Sequence, residues 1–462
     1  MYETIAILLY FAVVLAIGIS VYSKNKSDFI IGNRSLGPWQ TALSAQASDM
    51  SNWLFMAYPA LVFSTGLSGS WVAIGVFLFM LLNWQYIAPK IRRMTEQTGS
   101  LTFSSFFEKR FSDHSGRMRL TTVAICFIFY TIYISSGLVG MGRNMESLLG
   151  IPYQWGLLIG LVIVIPYIFF GGYLTLARID LFQGLFLMGV IVAVPLYLIF
   201  SKGITITSTP LIPHNSSQGV IQALIMVLGW GLGYFGQPAI VTKFMGIKNP
   251  DEIPRSKLIG LSWMLISLAA ATLVGLVGTA LFAKGTIEPE LVFIEMVKTS
   301  FHPFLVGLIL CAVFAAAINV MCSQILVVAS TFAEDLAKGG SPEKQLWVSR
   351  LSILFVGALA FLIAFFKISS IYNLVLFAWS GLGSAFGPLM LFSLYSKKVN
   401  RYGAWAGILS GAFTAGVWGF IDKHLSLHID PMVPGFFISA FSIWAVSTLT
   451  QKKDERAYQS TS

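Results

Sequence analysis

Apolar residues run through this chain in blocks of about 18 to 25, divided by short polar stretches. A helix that crosses a bilayer needs about 20 such residues. In lipid every backbone N–H and C=O must pair within its own segment, so the blocks predict membrane helices. A β-barrel would show alternating segments of about ten residues, and none is present. The pattern predicts an all-α polytopic membrane protein with about thirteen spans, at 4–22, 39–63, 70–89, 120–142, 153–173, 179–200, 218–240, 258–283, 302–333, 347–366, 371–395, 403–420 and 432–450. Residues 39–200 and 201–395 each hold five of them. Five is odd, so the two units run in opposite directions, as in an inverted repeat. Residues 1–38 add one helix and a cytoplasmic loop, and 396–462 add two helices and a tail. From Lys452 onward the tail reads as polar, cytoplasmic and disordered. The longest loops are about thirty residues, as at 90–119, so no separate soluble domain is expected.

Composition agrees: 56% of the 462 residues are hydrophobic and 11% charged, against about 25% charged in soluble domains. The net charge of +10 would suit nucleic acid, but the distribution of the basic residues argues for a lipid bilayer instead. With the N-terminus outside, only Arg143, Lys202, Lys284, Lys298, Lys367 and Lys423 of the 30 Lys and Arg fall on the outer side. The remainder lie on the cytoplasmic side, which sets orientation and puts the C-terminus inside. Glu3 precedes the first apolar run and Lys24 and Lys26 follow it, the reverse of a cleavable signal peptide. Cys126, Cys311 and Cys322 lie in apolar runs, at spacings that fit neither a metal site nor a disulfide framework. His114, His214, His302, His424 and His428 sit in loops or at helix ends. No G-x-S-x-G, Walker A or H-E-x-x-H motif occurs, and no other catalytic constellation points to an enzyme.

Asp49 is the acidic residue that lies well inside a predicted span; Asp180, Glu334 and Asp335 sit at span ends. A carboxylate at mid-bilayer costs about 2.5–3.5 kcal/mol on insertion scales. Two readings compete: a capping or hydrogen-bonded aspartate, and a residue on an ion pathway. Ala47-Ser48-Asp49-Met50-Ser51-Asn52 favours the second, because Ser, Asp and Asn side chains compete for the backbone and loosen a helix. With Pro59 further on, the span reads as two half-helices. At the corresponding place in the second half, Gly229-Trp230-Gly231-Leu232-Gly233-Tyr234-Phe235-Gly236-Gln237-Pro238 reads either as a close helix contact or as a second break beside a cavity. Paired breaks free carbonyls for a cation and expose helix ends to charged groups. In the ninth span, Ala316, Asn319 and Val320 share one helical face, for tight packing or for a site.

These stretches resemble the sodium:solute symporter family, and within it the proline-transporting branch. The matching residues are Ser27-Asp28-Phe29-Ile30 with Gly32 to Gly37, Ala47 to Trp53, Thr131-Ile132-Tyr133 with Ser136-Gly137, Gly229 to Pro238, and Ser330 to Leu336 with Glu334-Asp335. They span roughly residues 25 to 400. The resemblance implies a LeuT-like fold and inward symport of L-proline with Na+ by alternating access. It places the ion at backbone oxygens of Ala47, Met50 and Ala316, at Asp49, and at the positions of Asn319 and Val320. It implies a substrate cavity formed by Ser51, Asn52, Trp53, Tyr133, Trp230, Tyr234, Gln237 and Pro238, with Arg34 on the coupling route. Two positions depart from the pattern. Asn52 stands where proline transporters carry Gly. Asn319 and Val320 stand where the family has adjacent hydroxyl residues as ion ligands, and Val320 has no side-chain oxygen. Another amino acid as substrate, or a proton as coupling ion, is therefore the alternative within the same fold. A transporter-like sensor is the alternative from another class; such proteins usually carry an added signalling domain.

Overall fold

The computed structural model describes residues 2–19, 26–206, 209–212, 217–336, 341–427 and 429–459. Lys24, His214, His428, the end of the tail and the side chains of Ser27, Asp28, Glu334 and Asp335 lie outside the described residues. Among those described there is no strand beyond an isolated bridge between Leu36 and Ile247. In chain order the helices are α1 (Tyr2–Ile19), α2 (Lys26–Ile31), α3 (Pro38–Ala47), α4 (Tyr58–Thr65), α5 (Trp71–Leu82), α6 (Ala88–Gln97), α7 (Phe103–Arg110), α8 (Arg117–Leu149) and α9 (Tyr153–Lys202). They continue as α10 (Ser217–Gly231), α11 (Pro238–Met245), α12 (Ile253–Leu281), α13 (Val292–Ser300), α14 (Pro303–Leu336), α15 (Pro342–Phe365), α16 (Ile371–Tyr395), α17 (Arg401–Leu425) and α18 (Met432–Gln459).

Ten helical stretches among the described residues are long and apolar enough to cross a membrane. Where the sequence predicts further spans, the structure has two shorter apolar helices, Tyr2–Val14 and Tyr153–Pro166. It also has one run, Trp53–Gln97, in which the tight turn Gly66–Ser70 separates α4 from α5. α9 carries two predicted spans joined at Gly172, whose φ of 62° is left-handed backbone that glycine enters without steric cost.

The core is built around α14 and α16. In each, 83% of the central apolar window is buried, against 33% in the corresponding windows of Glu343–Phe365 and Met432–Gln451. α14 packs on α1, α8, α9 and α15, and α16 packs on α8, α17 and α18. Runs of small residues, such as Ala315-Ala316-Ala317 in α14 and Gly381, Gly383 and Ser384 in α16, permit that close approach. The surrounding helices expose Phe200 on α9, Phe413 and Phe420 on α17 and Leu449 on α18, which a bilayer covers.

Three features differ from the sequence reading. α18 continues to Gln459, so the tail is helical up to that residue where disorder is expected. Loop 90–119 is largely helical, with Thr102 capping α7 through Ser105 N at 3.1 Å. Asp180 and Lys243, assigned respectively to a span end and a loop, are both buried and face each other at 3.4 Å. The preceding Gly171-Gly172 kink and the second break shorten the helices around them, which draws both side chains inward.

Candidate functional site

The first break falls at Ser48 to Ser51. α3 ends at Ala47, a wide π-type turn covers Trp53–Ala57, and α4 follows. Met50 N–H turns back to Gln46 O at 2.9 Å. Ser51 N–H, which a regular helix would direct to Ala47 O, goes to Asp49 O at 3.0 Å instead. Ala47 O thereby leaves the helical ladder. The polar side chains hold the break open. Ser48 Oγ donates to Ser44 O at 2.6 Å, and Ser51 Oγ accepts Trp53 N–H at 3.1 Å.

The second break runs through a 3-10 turn at Leu232–Gly236 and extended Gln237, after which Pro238 opens α11. Proline at the first helical position has no N–H to leave unpaired. The two breaks meet through their side chains: Tyr234 Oη donates to Asp49 Oδ2 at 2.6 Å. The indole of Trp53 lies 5.3 Å from that of Trp230 and stacks on Tyr58 at 5.1 Å. Between the breaks is a small, tightly closed cavity lined by Asp49, Trp53, Val76, Tyr133, Trp230, Tyr234 and Trp379. Tyr133, which lines it, brings α8 to the same cavity. Asp49 is 7% exposed, and Tyr234 is its hydrogen-bond donor. The cavity thus combines one carboxylate with aromatic walls, a combination that suits a small apolar ring bearing a positive charge.

The remaining substrate candidates stand around this cavity without all lining it. Asn52 is fully buried and donates from Nδ2 to Ser136 O at 3.1 Å, while its Oδ1 has no partner among the described residues. Gly140 of α8 leaves the space that the Asn52 amide fills. Gln237 Nε2 donates to Trp379 O at 3.1 Å and serves to tie the break to α16. Pro238 is buried at the head of α11.

The face of α14 that carries Ala316, Asn319 and Val320 approaches the first break. Ser323 lies one turn beyond Asn319 on that face, and its Oγ is 2.9 Å from Ser48 Oγ. Ala316, Asn319 and Val320 are all buried, and Asn319 Nδ2 has no partner among the described residues. Arg34 stands away from the cavity in the connection before α3. Its guanidinium donates to Met245 O at 2.7 Å, Ser100 O at 2.9 Å and Thr95 O at 3.1 Å. It therefore clips the end of α11 to the segment after α6.

Sequence reasoning missed α16. Trp379 lines the cavity, packs edge-on against Tyr234 at 5.0 Å and donates from Nε1 to Trp230 O at 2.8 Å. A signal was available: Trp379-Ser380-Gly381-Leu382-Gly383-Ser384 sets an aromatic residue among small ones, as in the second break. Val76 on α5 carried no such signal.

Known proteins share both the sequence and the architecture. The chain is 39% identical over 455 residues to the high-affinity proline transporter PutP of Bacillus subtilis, covering 95% of this chain and 96% of that one. It is 40% identical over 474 residues to sodium/proline symporter 2 of Staphylococcus saprophyticus, covering 97% and 93%. Among solved structures, a Na+-coupled sialic acid symporter in a substrate-bound outward-open state superimposes with a TM-score of 0.80 at 18% identity, covering 97% of both chains. The nucleobase-cation-symport-1 family transporter MHP1 superimposes with a TM-score of 0.57 at 13% identity, covering 92% of this chain and 95% of that one. These likenesses establish the LeuT-like class of fold. The description of the sodium:solute symporter family matches residues 29–411, and with the relatives' identity over nearly the whole length this chain belongs to that family.

Proposed function

We propose that this protein imports L-proline together with Na+ across the bacterial inner membrane by alternating access. One observation carries the reading: a small aromatic cavity containing Asp49 lies between two helix breaks. The names of the relatives, proline transporters and sodium/proline symporters, supply the substrate and the ion. The pyrrolidine ring would lie against Trp53, Trp230, Tyr234 and Trp379, with Tyr133, Ser51, Asn52, Gln237 and Pro238 shaping the ends of the cavity. The ion would take backbone oxygens of Ala47, Met50 and Ala316 with the Asn319 amide. Asp49 would supply the negative charge that draws a cation into the membrane. Arg34 would couple closure at the cytoplasmic face to these sites. Thirteen spans, five-helix units at 39–200 and 201–395, an outside N-terminus and a cytoplasmic C-terminus complete the proposal. The Lys and Arg distribution supports that orientation.

Proton coupling is the second reading. Val320 offers no oxygen, and Asp49 is a carboxylate already poised between the two halves. Uptake of labelled proline into proteoliposomes, with sodium and proton gradients imposed separately, decides between the two. Sodium-driven uptake is the expected result. Full uptake in sodium-free buffer under an acid-outside gradient refutes sodium coupling. A reporter active only in the cytoplasm, fused to the tail, tests orientation; a silent but well-expressed fusion refutes it.

A further inference from the structure

Nearly every hydrogen-bond donor in the wall of the cavity between the breaks is already committed. Tyr234 Oη donates to Asp49 Oδ2 at 2.6 Å. Trp379 Nε1 donates to Trp230 O at 2.8 Å, and Trp230 Nε1 donates to Tyr372 Oη at 3.3 Å. The Tyr133 hydroxyl lies beside Ser51, and Val76 has no polar side-chain atom. Trp53 is the exception. It is 4% exposed, and its Nε1–H is buried with no partner among the described residues. A buried donor left unpaired is costly, and native structures seldom keep one that has no use.

The ring that carries this N–H is held fast. Tyr58 stacks on it with centroids 5.1 Å apart and planes 19° from parallel, and Trp230 packs against it at 5.3 Å. Tyr58 is itself fully buried and anchored, its Oη 2.6 Å from Thr272 Oγ1 on α12. Thr272 Oγ1 gives its own proton to Leu268 O at 2.9 Å, so the tyrosine is the donor of that bond. Fixed in this way, the indole is not free to turn toward another acceptor. What it has left to offer a ligand is its edge, which carries Nε1–H. Trp53 and Tyr58 belong to one continuous segment, so the stack stays together when the tightly closed cavity widens to admit a substrate. Asp49 is the charged residue of the same wall. An amino or imino acid brings an ammonium that suits Asp49 and a carboxylate that needs a donor.

We propose that the Trp53 Nε1–H donates to the carboxylate of the bound amino or imino acid, with the substrate ammonium turned toward Asp49. The proposal rests on the reading that this cavity is the substrate site. Trp53 is thereby the residue that separates an acid from the corresponding amine. The aromatic faces of Trp230, Tyr234 and Trp379 receive the ring of either. A site built around a hydrogen bond rejects the analogue that lacks the partner group, because the site's own donor is then left unpaired.

In the test, labelled proline bound to the purified protein is displaced by unlabelled proline or by pyrrolidine, which keeps the ring and the ammonium and lacks the carboxylate. Trp53→Phe raises the half-displacing concentration of proline by about ten- to a hundredfold, as expected for a hydrogen bond to a charged group. It raises that of pyrrolidine by no more than about twofold. Replacing Trp53 by 3-benzothienylalanine keeps the outline of the indole with sulfur in place of N–H. That replacement gives the same selective loss, and it decides the matter if Trp53→Phe does not fold. Equal loss for proline and pyrrolidine, no loss for proline, or a preference erased by Tyr133→Phe instead overturns the proposal. The parent chain separates the two ideas. If it binds another amino acid and not proline, the proline reading falls, and the same comparison is made with that acid and its decarboxylated amine. If it binds no amino acid, both fall.

Discussion

Gly236 ends the 3-10 turn of the second break, and its Cα faces the backbone of α16. A Cβ built there overlaps Gly387 N and meets Gly387 Cα and the Phe386 carbonyl carbon, each at 2.9 Å. Ordinary contact between such atoms is about 3.5–4.0 Å, so Gly236→Ala forces the turn and α16 apart by roughly 1 Å. All three obstructing atoms are backbone, and no side-chain rotation relieves the overlap. Overpacking of this kind costs about 1–3 kcal/mol. With an unfolding entropy of about 2.1 cal/mol/K per residue, that lowers the unfolding midpoint of the 462-residue chain by only about 1–3 °C. The consequence for binding is larger, because Tyr234 and Gln237 lie on either side of Gly236 and Trp379 rides on α16. A 1 Å misplacement of positioning groups costs up to about a hundredfold. Purified Gly236→Ala should therefore bind proline at least about tenfold more weakly. Thermal unfolding in detergent and equilibrium binding of labelled proline measure both effects. Gly416→Ala is the control, since nothing lies within 4 Å of a Cβ there. If Gly236→Ala matches Gly416→Ala in both assays, the close approach of α16 to the break is not a requirement of the site.

Asp49→Asn keeps the shape of the side chain and removes its charge; sodium-stimulated uptake should vanish while the protein inserts normally, and near-normal uptake would return Asp49 to a purely structural role. Tyr234→Phe deletes the donor to Asp49 Oδ2 and should weaken proline binding by about ten- to a hundredfold, in keeping with a hydrogen bond to a charged group of about 1.5–3 kcal/mol. Trp230→Ala removes an aromatic wall shared with Trp53 and Tyr372, whose hydroxyl accepts its Nε1–H at 3.3 Å; binding measured by displacement should fall more than thermal stability does. Val320→Thr adds an oxygen on the α14 face beside the first break and should lower the sodium concentration for half-maximal uptake, by up to about tenfold if it replaces an ordered water. An unchanged sodium response would place the ion away from α14.

Local properties of the chain account for what could be read in advance. Helix length and lipid solvation made the class of fold legible, because a bilayer admits few ways to pair a backbone. Both breaks were legible for a related reason. Ser48, Asp49, Ser51 and Asn52 on one side, and four glycines with Pro238 on the other, oppose a continuous helix by their own chemistry. Their places in the structure agree with that reading. The resemblance of these same motifs also led to the family.

What required the tertiary structure was every relation between distant segments. The Tyr234–Asp49 hydrogen bond joins residues 185 positions apart, and no periodicity announces it. Trp379 enters the cavity because Gly236 and Gly387 let α16 approach the break, a property of two helices together. In sequence Asp180 looks like a span-end charge and Lys243 like a loop charge. Folding buries them, since a kink at Gly172 and the short helix after Gln237 bring the two ends to one point inside the bundle. Burying either charge alone would be costly, and the partner that makes it tolerable lies 63 residues away.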